Sequence, residues 1–214
     1  MQSSGIQMTS GSLWKNLFFF SLPLMFSQVI EVLFNMSDVA VVGKFADYTA
    51  LGAVGSTTIL VTLFTGFMIG LGNGINVRVA HDLGSGNQRA IKASIHSAFV
   101  ISLVTGILLC LLCNLFSRSF LVLLRTKQEL LNQAVAYLKI YSLGFPGLAI
   151  YNCGNGILSA RGETKRPLMY LSIAGVLNVL LNLFFVIVCH LAASGVALAS
   201  MIAQYTSATL IVVH

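Results

Sequence analysis

The sequence predicts an all-α, polytopic integral membrane protein with six transmembrane helices, and three observations lead to this fold class. Hydrophobic residues make up 57% of the 214 residues and charged residues only 8%, whereas soluble domains average about 45–50% and about 25%. The apolar residues fall into long blocks, and about 20 such residues span a bilayer core as a helix. The blocks lack the alternating pattern of a barrel strand, so helices must satisfy the backbone hydrogen bonds in lipid.

We predict a short leading segment followed by one six-helix unit. Residues 1–16 form a cytoplasmic amino-terminal segment, and residues 17–214 form the transmembrane unit. The predicted spans cover residues 17–42, 55–77, 95–116, 137–159, 168–190 and 193–214. The first block is longer than a signal-peptide core of about 7–15 residues, so we assign it to the mature protein. Residues 117–139 are predicted to form an amphipathic helix at the membrane interface, leading into the fourth span.

The basic residues predict the orientation of the chain. Arg161, Lys165 and Arg166 share one short connection, which the positive-inside rule places in the cytoplasm. With six spans, the connection around Ser85 and the amino terminus lie on that same side. The cytoplasmic side then holds Lys15, Arg78, Arg89, Lys92, Arg161, Lys165 and Arg166, and the opposite side holds Lys44, Arg118, Arg125, Lys127 and Lys139. The net charge of +6 does not indicate nucleic-acid binding, because no basic domain gathers these residues.

The first span carries a polar face of Gln28, Glu31, Asn35 and Asp38 at steps of three, four and three. At about 100° per residue they occupy an arc of roughly 80°. A charge at mid-bilayer costs at least about 2.5–3.5 kcal/mol, so this face should turn towards the bundle interior or a water-filled cavity. Two acidic residues on this face indicate a site that binds a cation or a proton. The alternative is that Glu31 and Asp38 lie near the ends of the span and simply meet water.

Small residues recur at intervals of four in the second span, which is typical of closely packed membrane helices. They are Thr58, Thr62, Gly66, Gly70 and Gly74. Asn73 lies beside this stripe and is a candidate for lining a cavity.

The fourth and fifth spans add further polar candidates. Tyr141, Asn152 and Asn155 share a stripe of the fourth span and are candidates for lining a cavity. Asn178 and Asn182 lie one turn apart in the fifth span, where asparagine amides either bridge helices or coordinate a hard cation.

Two prolines are candidate hinges, because proline removes a backbone hydrogen bond from a helix. Pro23 lies in the first span and Pro146 in the fourth. No catalytic pattern accompanies these polar residues. The four histidines, His81, His96, His190 and His214, are scattered without ligand spacing, so we predict that the protein is not an enzyme. A membrane-embedded protease or hydrolase is the enzymatic alternative.

Several segments, taken in order, resemble multidrug and toxic compound extrusion (MATE) transporters. They are residues 35–43 after a proline, 48–55, 84–90, 159–167, 177–185 and 195–199. No single segment is specific to this family, but the order and spacing of the segments across residues 20–214 are specific to it. The resemblance implies a two-lobe transporter with six helices in each lobe, of which this chain supplies the amino-terminal one. It also implies antiport, in which inward flow of Na⁺ or H⁺ drives export of organic, often cationic compounds.

The resemblance also implies a site. Asp38 matches the first-helix aspartate of the family's cation site and Asn178 matches its fifth-helix asparagine, so a Na⁺ at these two residues is the one metal expected. Asn182 stands where many members have an acid, which favours a proton at Asp38. No cofactor is expected beyond the coupling ion.

The expected partners are the lipid bilayer, small organic or cationic substrates and the missing carboxy-terminal lobe. The expected location is the plasma membrane, as a bacterial cytoplasmic membrane protein. The last apolar run reaches His214 without a polar segment after it, so we expect the sequence to be a fragment. The alternatives are a lipid-linked oligosaccharide flippase of the same superfamily and a membrane scaffold that does not transport.

Overall fold

The computed structural model describes residues 13–214, and the regular elements in that part of the chain are all helices. The seven α-helices are α1 (Leu13–Phe45), α2 (Tyr48–Ser85), α3 (Gln88–Leu123), α4 (Gln128–Ser142), α5 (Phe145–Ala160), α6 (Lys165–Leu183) and α7 (Ala192–Val213). A π-helical turn, Phe184–Val188, continues α6. The all-α prediction is therefore confirmed. Most of the predicted leading segment, residues 1–12, lies outside the described residues, and α1 begins within the remainder.

Within residues 13–214, five helical stretches are long and apolar enough to cross a membrane. They are Phe18–Phe45, Tyr48–Ser85, Gln88–Leu123, Lys165–Val188 and Ala192–Val213. The pair α4 and α5 makes a sixth span if it is counted as one, although its two halves are bent by 44°. The break lies beside Pro146, the second residue of α5. At this position the N–H that proline lacks would have no acceptor within the helix.

The predicted interfacial helix over residues 117–139 is wrong. Residues up to Leu123 continue α3, and α4 begins only at Gln128. Between them Arg125 adopts a left-handed backbone conformation, with φ of 56°, which ends the helix. Leu131 and Leu138 of α4 are buried in the core of the bundle, so α4 packs as part of the lobe.

The α2–α3 connection is short because its residues suit the ends of helices. Gly86 follows α2 with φ of 70°, a left-handed conformation that glycine adopts freely. Asn87 then caps α3, because its side chain accepts hydrogen bonds from the backbone N–H groups of Arg89 and Ala90.

The backbones of α2 and α5 approach each other closely. A Cβ on Gly156 would overlap the carbonyl oxygen of Gly72, and one on Gly72 would lie 2.7 Å from that of Asn152. The Asn76 amide donates to the Gly156 carbonyl at 3.1 Å. Since Gly72 meets Asn152 and Asn76 meets Gly156, the two helices run parallel.

Within the described lobe, the small-residue stripe does not make the close helix contact that its spacing predicts. A Cβ on Gly66, Gly70 or Gly74 would meet no described atom within 4 Å. Gly72 makes the contact instead, and it lies about 200° around the helix from Gly70. The four-residue spacing identified residues that share a face, but that face is not the one that meets α5.

The Gly156→Ala change should lower the thermal unfolding temperature of the detergent-solubilised protein. The added methyl group would meet backbone atoms of α2, which cannot rotate away, and overpacking of this kind costs about 1–3 kcal/mol. Gly70→Ala is the matched control, because its methyl group enters open space. Equal unfolding temperatures for the two variants would contradict the close α2–α5 contact.

Candidate functional site

A cavity of about 290 Å³ opens among α1, α2, α4, α5, α6 and α7. Its polar lining residues are Gln28, Glu31, Asn35, Asp38, Thr62, Thr65, Tyr141, Tyr151, Asn152, Asn178, Ser200, Gln204 and Ser207. Phe34, Leu148 and Leu171 are among the apolar ones. The described lining contains two carboxylates and no lysine, arginine or histidine, so its fixed charges can only be negative.

All four residues of the predicted polar face of α1 line this cavity. The helix is continuous across them, so their spacing of three and four residues keeps them on one side. Phe34 packs against α6 at Gly175, where a Cβ would overlap the aromatic ring. The missing side chain lets α1 and α6 approach, and this approach brings the carboxylate of Asp38 to the asparagines of α6.

Asp38 is buried at the centre of a hydrogen-bond network, with only 5% of its surface exposed. The Asn182 amide donates to Asp38 Oδ1 at 2.5 Å, and the Ser200 hydroxyl donates to Asp38 Oδ2 at 3.0 Å. Three helices therefore meet at one carboxylate. When the Asp38 carboxylate is ionised, these hydrogen bonds are charge-assisted and about twice as strong as neutral ones.

Asn178 completes the network between Asn182 and Ser200. Its amide oxygen accepts from Asn182 at 3.1 Å, and its amide nitrogen lies 3.1 Å from the Ser200 hydroxyl. Turning this amide by 180° lets it donate to Asp38 Oδ1 at 3.1 Å and accept from the Ser200 backbone N–H at 3.3 Å. Amide orientations are assigned from such neighbours, so the network admits two arrangements around one carboxylate.

Asn182 is fully buried and does not line the cavity, yet it makes the shortest bond to Asp38. Its own amide oxygen is buried without a hydrogen-bond partner among the described residues. A buried unpaired oxygen beside a carboxylate is costly. It is also an available ligand for a proton donor or a hard cation.

The structure brings some other predicted residues to the cavity and leaves others out. Tyr141 and Asn152 line it. Asn73 is exposed on α2, one turn beyond the last lining residue of that helix, Ile69. Asn155 is half-buried and accepts a bond from Ser159, because the adjacent part of α5 is covered by α2. Asn73 and Asn155 therefore do not line this cavity.

The two candidate hinges lie in different settings. Pro23 is buried in an unbroken α1, where the Ser27 hydroxyl donates to its carbonyl at 3.0 Å. Pro146 lies beside the bend between α4 and α5. A hinge role for either one stays a prediction.

Sequence reasoning missed the contribution of α7. Ser200, Gln204 and Ser207 all line the cavity, and Ser200 bonds directly to Asp38. A signal was present, because the three residues follow the i, i+4, i+7 spacing of one helix face.

Residues 23–184 match the family model described as MatE. The chain belongs to this family, the MATE transporters. A curated relative, the "Probable multidrug resistance protein YpnP" of Bacillus subtilis, is 30% identical over 198 residues, covering 92% of this chain and 44% of that protein. The "Probable multidrug resistance protein NorM" of Thermotoga maritima is 26% identical over 168 residues, covering 78% of this chain and 36% of that protein.

The fold is also that of solved MATE structures. A crystal structure of MATE in the bent conformation superposes with a TM-score of 0.91 at 22% identity, covering 99% of this chain and 47% of that one. This chain spans less than half the length of the relatives and of the structure that it matches. It therefore corresponds to one lobe of the MATE architecture.

Proposed function

We propose that this chain forms one lobe of a secondary active antiporter that exports organic cations in exchange for Na⁺ or H⁺, with Asp38 as the coupling residue. The observation that supports this most is the cavity, which joins a buried carboxylate network to a lining whose described residues include no basic side chain. Ionisable groups inside a membrane protein mark ion pathways and substrate sites. A cation or a proton is the natural partner of such a site.

The hydrogen bonds around Asp38 suggest how it couples. When Asp38 is ionised, the amide of Asn182 and the hydroxyl of Ser200 donate to its two oxygens. When it is protonated, it can itself donate to the unpaired amide oxygen of Asn182 if that amide turns over. The arrangement of α1 against α6 and α7 would then depend on the charge of Asp38, so that proton binding shifts the equilibrium between conformations.

A Na⁺ would use the same residues. The carboxylate of Asp38, the amide oxygens of Asn178 and Asn182 and the hydroxyl of Ser200 form an all-oxygen donor set, which hard cations prefer. The unpaired oxygen of Asn182 fits such a ligand. A bound Na⁺ would supply a positive charge that neutralises Asp38, and the side chains would reorient around it.

The second lobe would complete the substrate pathway. The relatives are more than twice as long as the matched part of this chain, and transporters of this kind work by rocking one helical bundle against another around a central site. We therefore propose that α1 and the part of α2 that lines the same cavity, at Thr62 and Gly66, meet the second lobe, in a bacterial cytoplasmic membrane.

The alternatives receive less support from the cavity. A flippase for a lipid-linked oligosaccharide would need basic residues for a pyrophosphate, and the described lining has none. A scaffold would not need an acidic cavity. Everted membrane vesicles carrying the full-length gene product test the proposal, since they should accumulate a labelled organic cation only when a Na⁺ or H⁺ gradient is imposed. Accumulation without either gradient would refute it.

The orientation is a separate prediction. Because α2 runs parallel to α5, the connections that follow them lie at one end of the bundle, and the positive-inside rule places that end in the cytoplasm. Single cysteines at Gly86 and Glu163, in a background without the native cysteines, should react with an impermeant thiol reagent only from the cytoplasmic side. Cysteines at Asp47 and Gln128 should react only from outside. Labelling of positions 86 and 163 from outside would reverse the topology.

A further inference from the structure

A second cavity, of about 610 Å³, lies between α2 and α3, away from Asp38. It is lined by Gly70, Leu71, Gly74, Ile75, Arg78, Val79, Ala90, Ala93, Ser94, Ser97, Ala98 and Ile101. Most of this surface is apolar or small. Gly70 and Gly74 form part of its wall, and a Cβ on either would meet nothing within 4 Å. The cavity is therefore a groove along the outside of the described lobe, open where these two side chains are missing.

One arginine is held at the end of this groove by groups that fix its orientation. Arg78 Nε lies 3.2 Å from Asp82 Oδ2 and 3.4 Å from the Ser94 hydroxyl. That hydroxyl also donates to Asp82 Oδ2 at 2.5 Å. Asp82 is only 4% exposed, whereas the Arg78 side chain is 67% exposed. The inner edge of the guanidinium is thus anchored, and no described residue bonds its two terminal nitrogens.

The charge around this arginine is positive. Arg89 and Lys92 are exposed in the first turns of α3, on the helix that forms the other wall of the groove. Asp82 is the acidic residue of this cluster, and its carboxylate is already paired with Arg78. A negatively charged ligand at this end would meet basic groups and hydroxyls. Along the groove from Arg78 to Gly70, roughly 12 Å of helix rise, it would meet apolar surface.

We propose that the groove binds an anionic phospholipid, with the phosphate at the terminal nitrogens of Arg78 and one acyl chain lying against Gly70 and Gly74. An arginine guanidinium pairs with phosphate through two parallel hydrogen bonds, and basic pockets between membrane helices bind anionic lipid headgroups. A soluble phosphate would use the basic end alone, whereas a lipid uses the basic end and the apolar groove together. This site does not depend on the proposed transport function.

Binding of two lipids with identical acyl chains, phosphatidylglycerol and phosphatidylcholine, to the purified full-length protein in detergent tests this site by native mass spectrometry. We expect phosphatidylglycerol to bind at least about fivefold more tightly. Arg78→Gln should remove most of that preference, because one basic residue near a lipid surface contributes about fivefold in affinity. Arg78→Lys should retain part of the preference, because the charge remains although the two parallel hydrogen bonds are lost.

Gly74→Leu should weaken binding of both lipids by filling the groove without a clash inside the protein. Arg118→Gln, at the other end of α3, and Gly55→Leu, another open glycine of α2, are the matched controls and should bind as wild type. Equal affinity for the two lipids, or wild-type binding by either Arg78→Gln or Gly74→Leu, would overturn the proposal. Displacement of phosphatidylglycerol by inorganic phosphate alone would overturn it as well.

Discussion

Replacing Asp38 with asparagine should abolish ion-driven efflux while membrane insertion stays close to normal. Asparagine has nearly the same shape, and its amide oxygen can still accept a bond from Asn182 or Ser200, so the contacts of α1 with α6 and α7 are largely kept. It can neither hold a proton at neutral pH nor carry the negative charge that attracts a cation. Efflux from vesicles, normalised to inserted protein and driven by an imposed Na⁺ or pH gradient, measures the effect.

Asp47→Asn is the matched control for Asp38→Asn. Asp47 lies exposed between α1 and α2, where its carboxylate accepts from the Thr49 hydroxyl, and its variant should transport as wild type. Asn178→Ala should cause a smaller loss than Asp38→Asn, because Asp38 keeps its bonds to Asn182 and Ser200. If Asp38→Asn lowers protein yield but leaves efflux per molecule intact, Asp38 only anchors α1, and the coupling mechanism fails.

The direction of the α1 polar face could be predicted from sequence because an acidic side chain is much less stable facing lipid than facing the bundle interior. A helix that spans lipid cannot turn Glu31 and Asp38 outward at low cost, and their spacing fixes a common face with Gln28 and Asn35. The structure places all four along one cavity. Here a local pattern and a large energetic penalty agree, so no tertiary information was needed.

It was harder to predict which neighbouring helix each helix face would contact. The stripe containing Gly66 and Gly70 has the spacing of a helix contact, but spacing does not reveal which neighbour a face meets, and the contact with α5 formed through Gly72. The end of α3 and the start of α4 were also missed, because the break depends on the backbone conformation of a single residue, Arg125. Ser200 was overlooked because a serine in an apolar helix often bonds only to a backbone carbonyl of its own helix.

Replacing Glu31 with glutamine should reduce efflux of a permanently charged organic cation about tenfold and leave efflux of a neutral substrate nearly unchanged. Glu31 lies seven residues from Asp38 on the same face of α1, roughly 10 Å along the helix, and both line the cavity. No described residue bonds to its carboxylate side chain. A tenfold effect corresponds to about 1.4 kcal/mol, which lies between about 1 kcal/mol for a charge pair 4 Å apart in bulk water and about 4 kcal/mol for the same pair near a protein surface.

The pattern of substrates and gradients separates the roles of the two acids. If Glu31 binds the charge of the substrate and Asp38 couples, the Glu31→Gln variant still exports neutral compounds in response to the ion gradient, whereas Asp38→Asn exports nothing. Glu129→Gln, a change of the same chemistry on the exposed start of α4, should leave both substrates unaffected. Loss of all gradient-driven efflux in Glu31→Gln would make Glu31 part of the coupling site. Unchanged export of the cation would mean that Glu31 only meets water at the cavity mouth, and its assignment to substrate charge would be wrong.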